Sequence, residues 1–495
     1  MNKYVRKLLG VMFQSQQTQQ VVQTPLQHSP TSSEEWHAHW QAKGFPWRTE
    51  PEIDAKRQEE LRRCRAILPD IEKRIYPFKG MKLNRADIEW LLATHENGRG
   101  PVNWSDEKDR QREGLDLRGT DLRHVDLSQL PLARIRGGLD VGYWNRETYT
   151  SSKMRALQLE EARLIGIHLE GAYLIKAHLE GAILGRAHLE GANLTGAHLE
   201  KAYLTKAHLE GAELLGVYLE EADLREAYLE EAVMIGAHLE RASLPWAHME
   251  RALLSRAHLE GAELQDAHLE DTSLVGAYLE KAHLTRAILA NEKHIGPRVV
   301  DTHWNDVNLA VVQWSQVKTL GDEYTARQKK HAGKVKDKAM RLNEHEKAVR
   351  SNRQLAIALQ NQGLNEVAAR FAYRAQILQR KVLWKQRDFG KWLFSMLLAL
   401  VAGYGYRMWR ILVAYLFIVL LSAGAYFVLG MYYEPHLSFL EAVLTSVTAF
   451  HGRVFSEPFL HPGAPQLWVT AFEAVMGLVI EGVFIAMLTQ KFFGK

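Results

Sequence analysis

The sequence predicts a multidomain chain: an all-β coil that turns a corner every five residues, a basic α-helical linker, and a C-terminal two-span α-helical membrane domain. Three observations carry this. From Leu159 to Leu289 every fifth residue is Leu, except Met234 and Met249. A strongly basic stretch with helical spacing follows that repeat, and two apolar runs long enough to cross a bilayer lie near the C-terminus.

A chain of 495 residues exceeds what one core organises, and a net charge of +4 is too small for a wholly basic nucleic-acid binder. The single cysteine, Cys64, forms no internal disulfide and suits a reducing compartment. The N-terminus lacks the apolar core and small-residue cleavage site of a signal peptide. Residues 1–35 read as a disordered tail, because a Gln/Thr/Ser/Pro composition cannot offset ordering entropy. Residues 36–114 read as a small helical cap. Its helical windows are Glu52–Leu68, stopped by Pro69, and Asn84–His95, with Asn84 as a cap.

The repeat occupies 115–320, with an insert at about 133–155. Two residues before each Leu stands Ala, replaced only by Leu157, Ile167, Val217 and Thr272. On a helix a five-residue step turns about 140°, so the leucines would face every direction. On one flat strand an odd step alternates faces. A square coil resolves both, with Leu and Ala of each side inward. The phase persists through Thr302/Trp304, Val307/Leu309 and Val312/Trp314.

This stretch resembles the pentapeptide-repeat family. The resemblance implies a right-handed quadrilateral β-helix with four repeats per coil, a rod on the order of 40 Å at the usual strand spacing. A second period of ten places His or Tyr before the Leu and Glu after it on alternate pentads (His168/Glu170, His178/Glu180, on to Tyr278/Glu280). Ten residues are half a coil, so two His/Glu ladders are expected on opposite faces. A metal needs three or four converging donors, which a flat ladder spreads apart, so no metal and no cofactor is assigned. Below about pH 6.5, protonated histidines would offset the glutamates.

Residues 321–391 form a basic linker. Its segment about Gly363 resembles a tetratricopeptide-type helical hairpin, a single packing unit, and its charge suits anionic lipid headgroups. The membrane domain is 392–495, with an interfacial helix at Trp392–Ala402, spans at about 411–430 and 467–488, and a re-entrant loop at about 437–455. Lys and Arg crowd the outer flanks of the spans, whereas the connecting loop has only Arg453. The positive-inside rule then puts both termini and the coil on the cytoplasmic side of a bacterial cytoplasmic (inner) membrane.

The sequence Ser438–Gly452 resembles the pore helix and filter entry of the two-span potassium-channel pore, and the second span resembles its inner helix through Glu473 and Gly477. The resemblance implies a pore lined at Thr448, Ala449, Phe450, His451, Gly452 and Arg453. It departs from type at Phe450, which resists the positive φ that Gly allows, so potassium selectivity is not expected. Glu481 lies where the family is apolar, and either faces water or pairs. Two spans enclose no pore alone, which implies a homo-oligomer, as a tetramer. The expected partners are membrane lipids, inorganic ions and an unidentified protein or ligand on the coil, with no nucleic acid. No nucleotide, nucleophile or zinc motif marks an enzyme. The competing expectation is a membrane-anchored scaffold without conduction.

Overall fold

A computed structural model describes residues 30–70, 73, 75–138, 156–331, 333–405, 408–434, 436–453 and 465–493. The tail over 1–29, most of the insert and the end of the connecting loop lie outside the described residues. The chain divides into two compact units. One combines the N-terminal residues to Arg63 with Asn84–Gly100; the other combines Cys64–Leu83 with Pro101 onward.

The first unit holds α1 (Ser33–Ala42), most of α2 (Ala55–Arg65) and α3 (Arg85–Ala93). Ser32 and Asn84 each make a capping box, with Glu35 and Asp87. The fully buried Glu89 is held by Thr49, the Glu50 amide and Arg85, and Arg57 pairs with Asp87 at 2.8 Å. These buried carboxylates are fully partnered, which is what their desolvation requires.

In the second unit, the coil pairs residue i with i+20 in parallel register on four successive sides, as in Gln158↔His178, Arg163↔Ile183, His168↔His188 and Tyr173↔Asn193. Every inward Leu or Met from Leu159 to Leu289 is at most 2% exposed, and so is every residue two before it. Each corner closes by a turn in which the inward Ala amide donates to the preceding Leu carbonyl, for example Ala162 to Leu159 at 3.0 Å. The third turn residue has positive φ, which explains the recurring Gly of "EGA"; Lys176 and Trp246 adopt it at φ 56° and 57°.

The register also dates the interruptions. Across the insert the pairing distance is 37 (Asp121↔Gln158) against 20 just before it (Asp116↔Arg136), so 17 extra residues fall between Arg136 and Gln158. Near the end it is 25 (Ser273↔Arg298). The coil starts earlier than the sequence boundary at 115: Lys82 pairs with Asp121, and the Gly80 amide donates to the Gly119 carbonyl at 2.7 Å. That pairing joins residues 39 apart and leaves no period in the sequence.

Beyond the coil, α4 (Gly321–Arg327) precedes a short β-hairpin, β1 (Lys330–His331) and β2 (Lys334–Val335). The hairpin α5 (Lys338–Asn361) and α6 (Asn365–Gln386) turns at Gly363, where φ is 76°. It docks on the last rungs. Gln354 holds the Asp301 amide, Gln362 the Leu309 amide, and Arg374 pairs with Glu323 at 2.9 Å. Buried Asp322 accepts from the Val299 amide at 2.7 Å, and burial pushes its carboxyl up to about 6.

The C-terminal part comprises α7 (Phe389–Ala402), α8 (Met408–Tyr432), α9 (Phe439–Phe450) and α10 (Pro465–Phe493). Trp409–Tyr432 and Pro465–Thr489 are long and apolar enough to cross a membrane, with mean hydropathy 2.4 and 2.0. Apolar side chains such as Leu412, Leu416, Leu420, Val475 and Leu478 stand exposed on them. Exposure of that extent is unfavourable in water and ordinary against lipid.

Candidate functional site

The coil presents two ladders. On one side stack His168, His188, His208, Tyr228, His248 and His268; on the other His178, His198, Tyr218, His238, His258, Tyr278 and His303. Ring centroids lie 4.4 to 5.1 Å apart. The backbone rung spacing sets this distance, so the stack is a consequence of register. Most of the ladder histidines donate to the glutamate two residues on, as His168 Nδ1 to Glu170 Oε1 at 2.8 Å and His198 to Glu200 at 2.9 Å, whereas His248 and His268 lie 3.8 and 3.5 Å from Glu250 and Glu270. The second oxygen of every ladder glutamate from Glu170 to Glu280 is sealed from solvent and accepts from no other residue.

Titration follows the partner. The Glu170 hydrogen bond raises His168 above the usual imidazole value, against the opposing effect of burial. Burial is the largest single influence on Glu180 and would raise it, but the bond from His178, the backbone amide and the charges of His178 and His198 together leave it lowered. Where Tyr218 and Tyr228 replace histidine, burial and the glutamates of adjacent rungs push Glu220 and Glu230 up. Triads such as His168, Glu170 and His188 bring donor atoms within 4.8 Å of one another. The rings are parallel to within 3°, so their in-plane lone pairs run side by side a rung apart and do not converge on one ion.

The second candidate is the turn after α9. A Ser438/Glu441 capping box starts this helix. The hydroxyl of Ser446 lies between the Val419 carbonyl, at 2.9 Å, and the buried carboxylate of Glu473. Tyr426 on α8 meets Thr470 on α10 at 2.9 Å. Phe450, 1% exposed, packs edge-on to Tyr415 and joins Ile411, Val419, Ile480 and Met487 in one core.

The structure departs here from the filter reading. Thr448, Ala449 and Phe450 form the last turn of α9, not an extended carbonyl row. The Gly452 amide donates to the Ala449 carbonyl and the Arg453 amide to the Thr448 carbonyl, both at 2.9 Å, with Gly452 at φ 67°. This paired arrangement is the Schellman stop, so Gly452 serves as the left-handed residue that ends a helix. A Cβ at Gly477 would collide with the Phe450 carbonyl, which explains that glycine by close helix approach. Glu481 pairs with His451 at 2.5 Å, both about half exposed, and Arg453 is exposed. Of the nine predicted residues, eight thus gather where α9 meets α10, and Glu473 anchors the helix from its middle. The His451–Glu481 pair joins residues 30 apart and had no signal in the sequence beyond the oddity of each.

A family model described as pentapeptide repeats, in eight copies, matches residues 152–191, 182–220, 212–251 and 252–291. Among solved structures, HetL, a pentapeptide repeat protein involved in heterocyst differentiation regulation in the cyanobacterium Nostoc sp. strain PCC 7120, is 26% identical; the match covers 46% of this chain and 96% of that one, with a TM-score of 0.20. Full-length QnrB1, a plasmid-mediated fluoroquinolone resistance protein, is 19% identical over 33% of this chain and 79% of its own, with a TM-score of 0.23. Rfr23 from the cyanobacterium Cyanothece 51142 is 21% identical over 39% and 89%, with a TM-score of 0.10. No curated protein sequence gives a significant match. With its five-residue corners and twenty-residue rungs, the segment 152–291 is a pentapeptide-repeat domain.

Proposed function

We propose that this protein is a membrane-embedded homo-oligomer in which α8, α9 and α10 of each copy form a channel-like unit that does not select potassium, while the coil serves as a cytoplasmic docking or sensing surface. The observation that carries it is the short capped helix α9, held between two membrane-length helices by Ser446, Glu473 and Phe450. A re-entrant helix between two spans is the architecture of pores, and polar backbone at that depth is tolerated only inside protein or beside water. A tetramer would repeat Arg453 around its axis, making a positive ring that holds cations back.

The second reading, a membrane-anchored pentapeptide-repeat scaffold without conduction, is favoured by one feature: the Schellman stop closes the backbone where a filter would present carbonyls. Reconstituted protein in asymmetric salt separates the two. Ionic current whose cation/anion preference shifts in Arg453→Asp supports conduction, whereas a monomer by mass measurement in detergent, or silent bilayers, leaves only the scaffold. Topology is tested in a Cys64→Ser background. A cysteine at Lys330 should be labelled only after permeabilisation and one at Ser456 from outside; the reverse pattern overturns the orientation.

A further inference from the structure

Between α7 and α8 lies a cleft of about 650 Å³ with apolar walls that include Leu397, Leu400, Val413 and Phe417. Among the described residues the charged groups that line it are two arginines, Arg380 from α6 and Arg410 from α8. Among the described residues neither guanidinium has a carboxylate partner. Arg410 donates one bond, Nη1 to the Ala399 carbonyl at 2.9 Å, near the C-terminus of α7. A guanidinium has five N–H donors, so that contact orients the group and leaves most of its capacity unused. Trp409, exposed on the same wall, opens the membrane-length segment Trp409–Tyr432; tryptophan at a span end marks headgroup depth. Where α6 gives way to α7, Trp384 clusters with Phe389 and Trp392, with rings 4.9 to 5.5 Å apart.

A phosphate alone would find no use for apolar walls, and an acyl chain alone would find no use for two unneutralised arginines. We propose that this cleft is a binding site for an anionic phospholipid, its phosphate held by Arg380 and Arg410 and its chains lying along Leu397, Leu400, Val413 and Phe417. Arginine suits the phosphate because its planar fork donates two bonds at once. The arrangement ties α6, whose Arg374 donates to Thr319 on the last rung, to the first span through one lipid headgroup. The site rests on the membrane reading above.

The test uses the full chain in detergent, with phosphatidylglycerol and phosphatidylcholine titrated separately and bound lipid read by native mass spectrometry. The expected result is a preference of roughly tenfold or more for phosphatidylglycerol, abolished in Arg380→Gln/Arg410→Gln and retained in Arg353→Gln, an exposed arginine of α5. Equal binding of both lipids, or an unaltered preference in the double variant, overturns the proposal. So does displacement by millimolar inorganic phosphate alone, which would mark a free-anion site. If the double variant does not fold, Val413→Trp decides: it narrows the apolar wall, leaves both guanidinium groups, and should weaken phosphatidylglycerol binding; unchanged binding overturns the site. Carbonate extraction of native membranes reports anchoring separately, so loss of the site with anchoring intact refutes the lipid site alone.

Discussion

The coil and the membrane-length helices solve the same problem, burying apolar side chains, in opposite ways. In the coil each inward position is restated every five residues, the rings recur every ten, and each rung lies over the next after twenty. Between α8 and α10 every contact occurs once: one serine on Glu473, one glycine beneath the Phe450 carbonyl, one histidine on Glu481. A periodic core repeats one packing solution at every rung, whereas a single contact has no second copy. It also leaves a mark in the sequence that a single contact does not.

The comparison breaks first, if it is wrong, at the coil core. Leu219→Ala removes a side chain 2% exposed from between fixed rungs that cannot collapse, and should cost about 2–5 kcal/mol. Glu220→Gln should cost far less. Hydrogen exchange of the neighbouring rungs measures both, and equal losses would refute the inward and outward assignment.

The seam where the repeat ends should respond to pH. Asp322 has a folded value of about 6, above the ordinary carboxylate value, so its contribution is fully present below about pH 4 and is lost as pH rises through 6. The loss is on the order of 2–3 kcal/mol. Exchange protection at the α4–α5 junction should fall over that window in the native chain and stay level in Asp322→Asn.

Gly477→Val tests the single-contact region. Its Cβ would force α9 away from α10, at about 1–3 kcal/mol of overpacking. The expected readout is faster proteolysis after α9 with coil exchange unchanged. A coil that also loosens would mean that the two regions are not separable.

The smallest effect belongs to the ladders. His168 is raised in the folded chain, so its contribution is present below about pH 6.5 and lost as pH rises through its folded value. Glu170 and Glu190 are the charges acting on it, and its ring stacks on His188. Since the side chain is 42% exposed, screening keeps the effect below about 1 kcal/mol. His168→Gln should flatten the corresponding change in local exchange between pH 6 and 8.

These contrasts explain what the sequence discloses. Leu and Ala at fixed phase determine the coil, because no helix or flat strand accommodates a step of five. The ladders follow from the period of ten. The corner conformation is legible only in part: Gly in "EGA" hints at positive φ, yet Lys, Arg, Glu and Trp fill the same corner elsewhere. "TAFHGR" is ambiguous by nature, because a glycine after an aromatic residue serves a filter and a helix stop equally well. Only the long-range contact of Phe450 with Gly477 resolves it. The pairing of Lys82 with Asp121 is likewise tertiary, one rung with no repeat to announce it.

The half-coil spacing of the histidines sets a rule for how such a protein can lengthen. Insertion of one pentad would slide His and Tyr over Ile183, Asn193 and their equivalents and dissolve both stacks. Insertion of two, carrying the His-x-Glu pattern, keeps every ring over a ring while exchanging which column continues which. Four restore each column to itself. Within the uninterrupted repeat, additions therefore preserve the ring stacks only in steps of ten, and the two faces act as interchangeable tracks for half-turns.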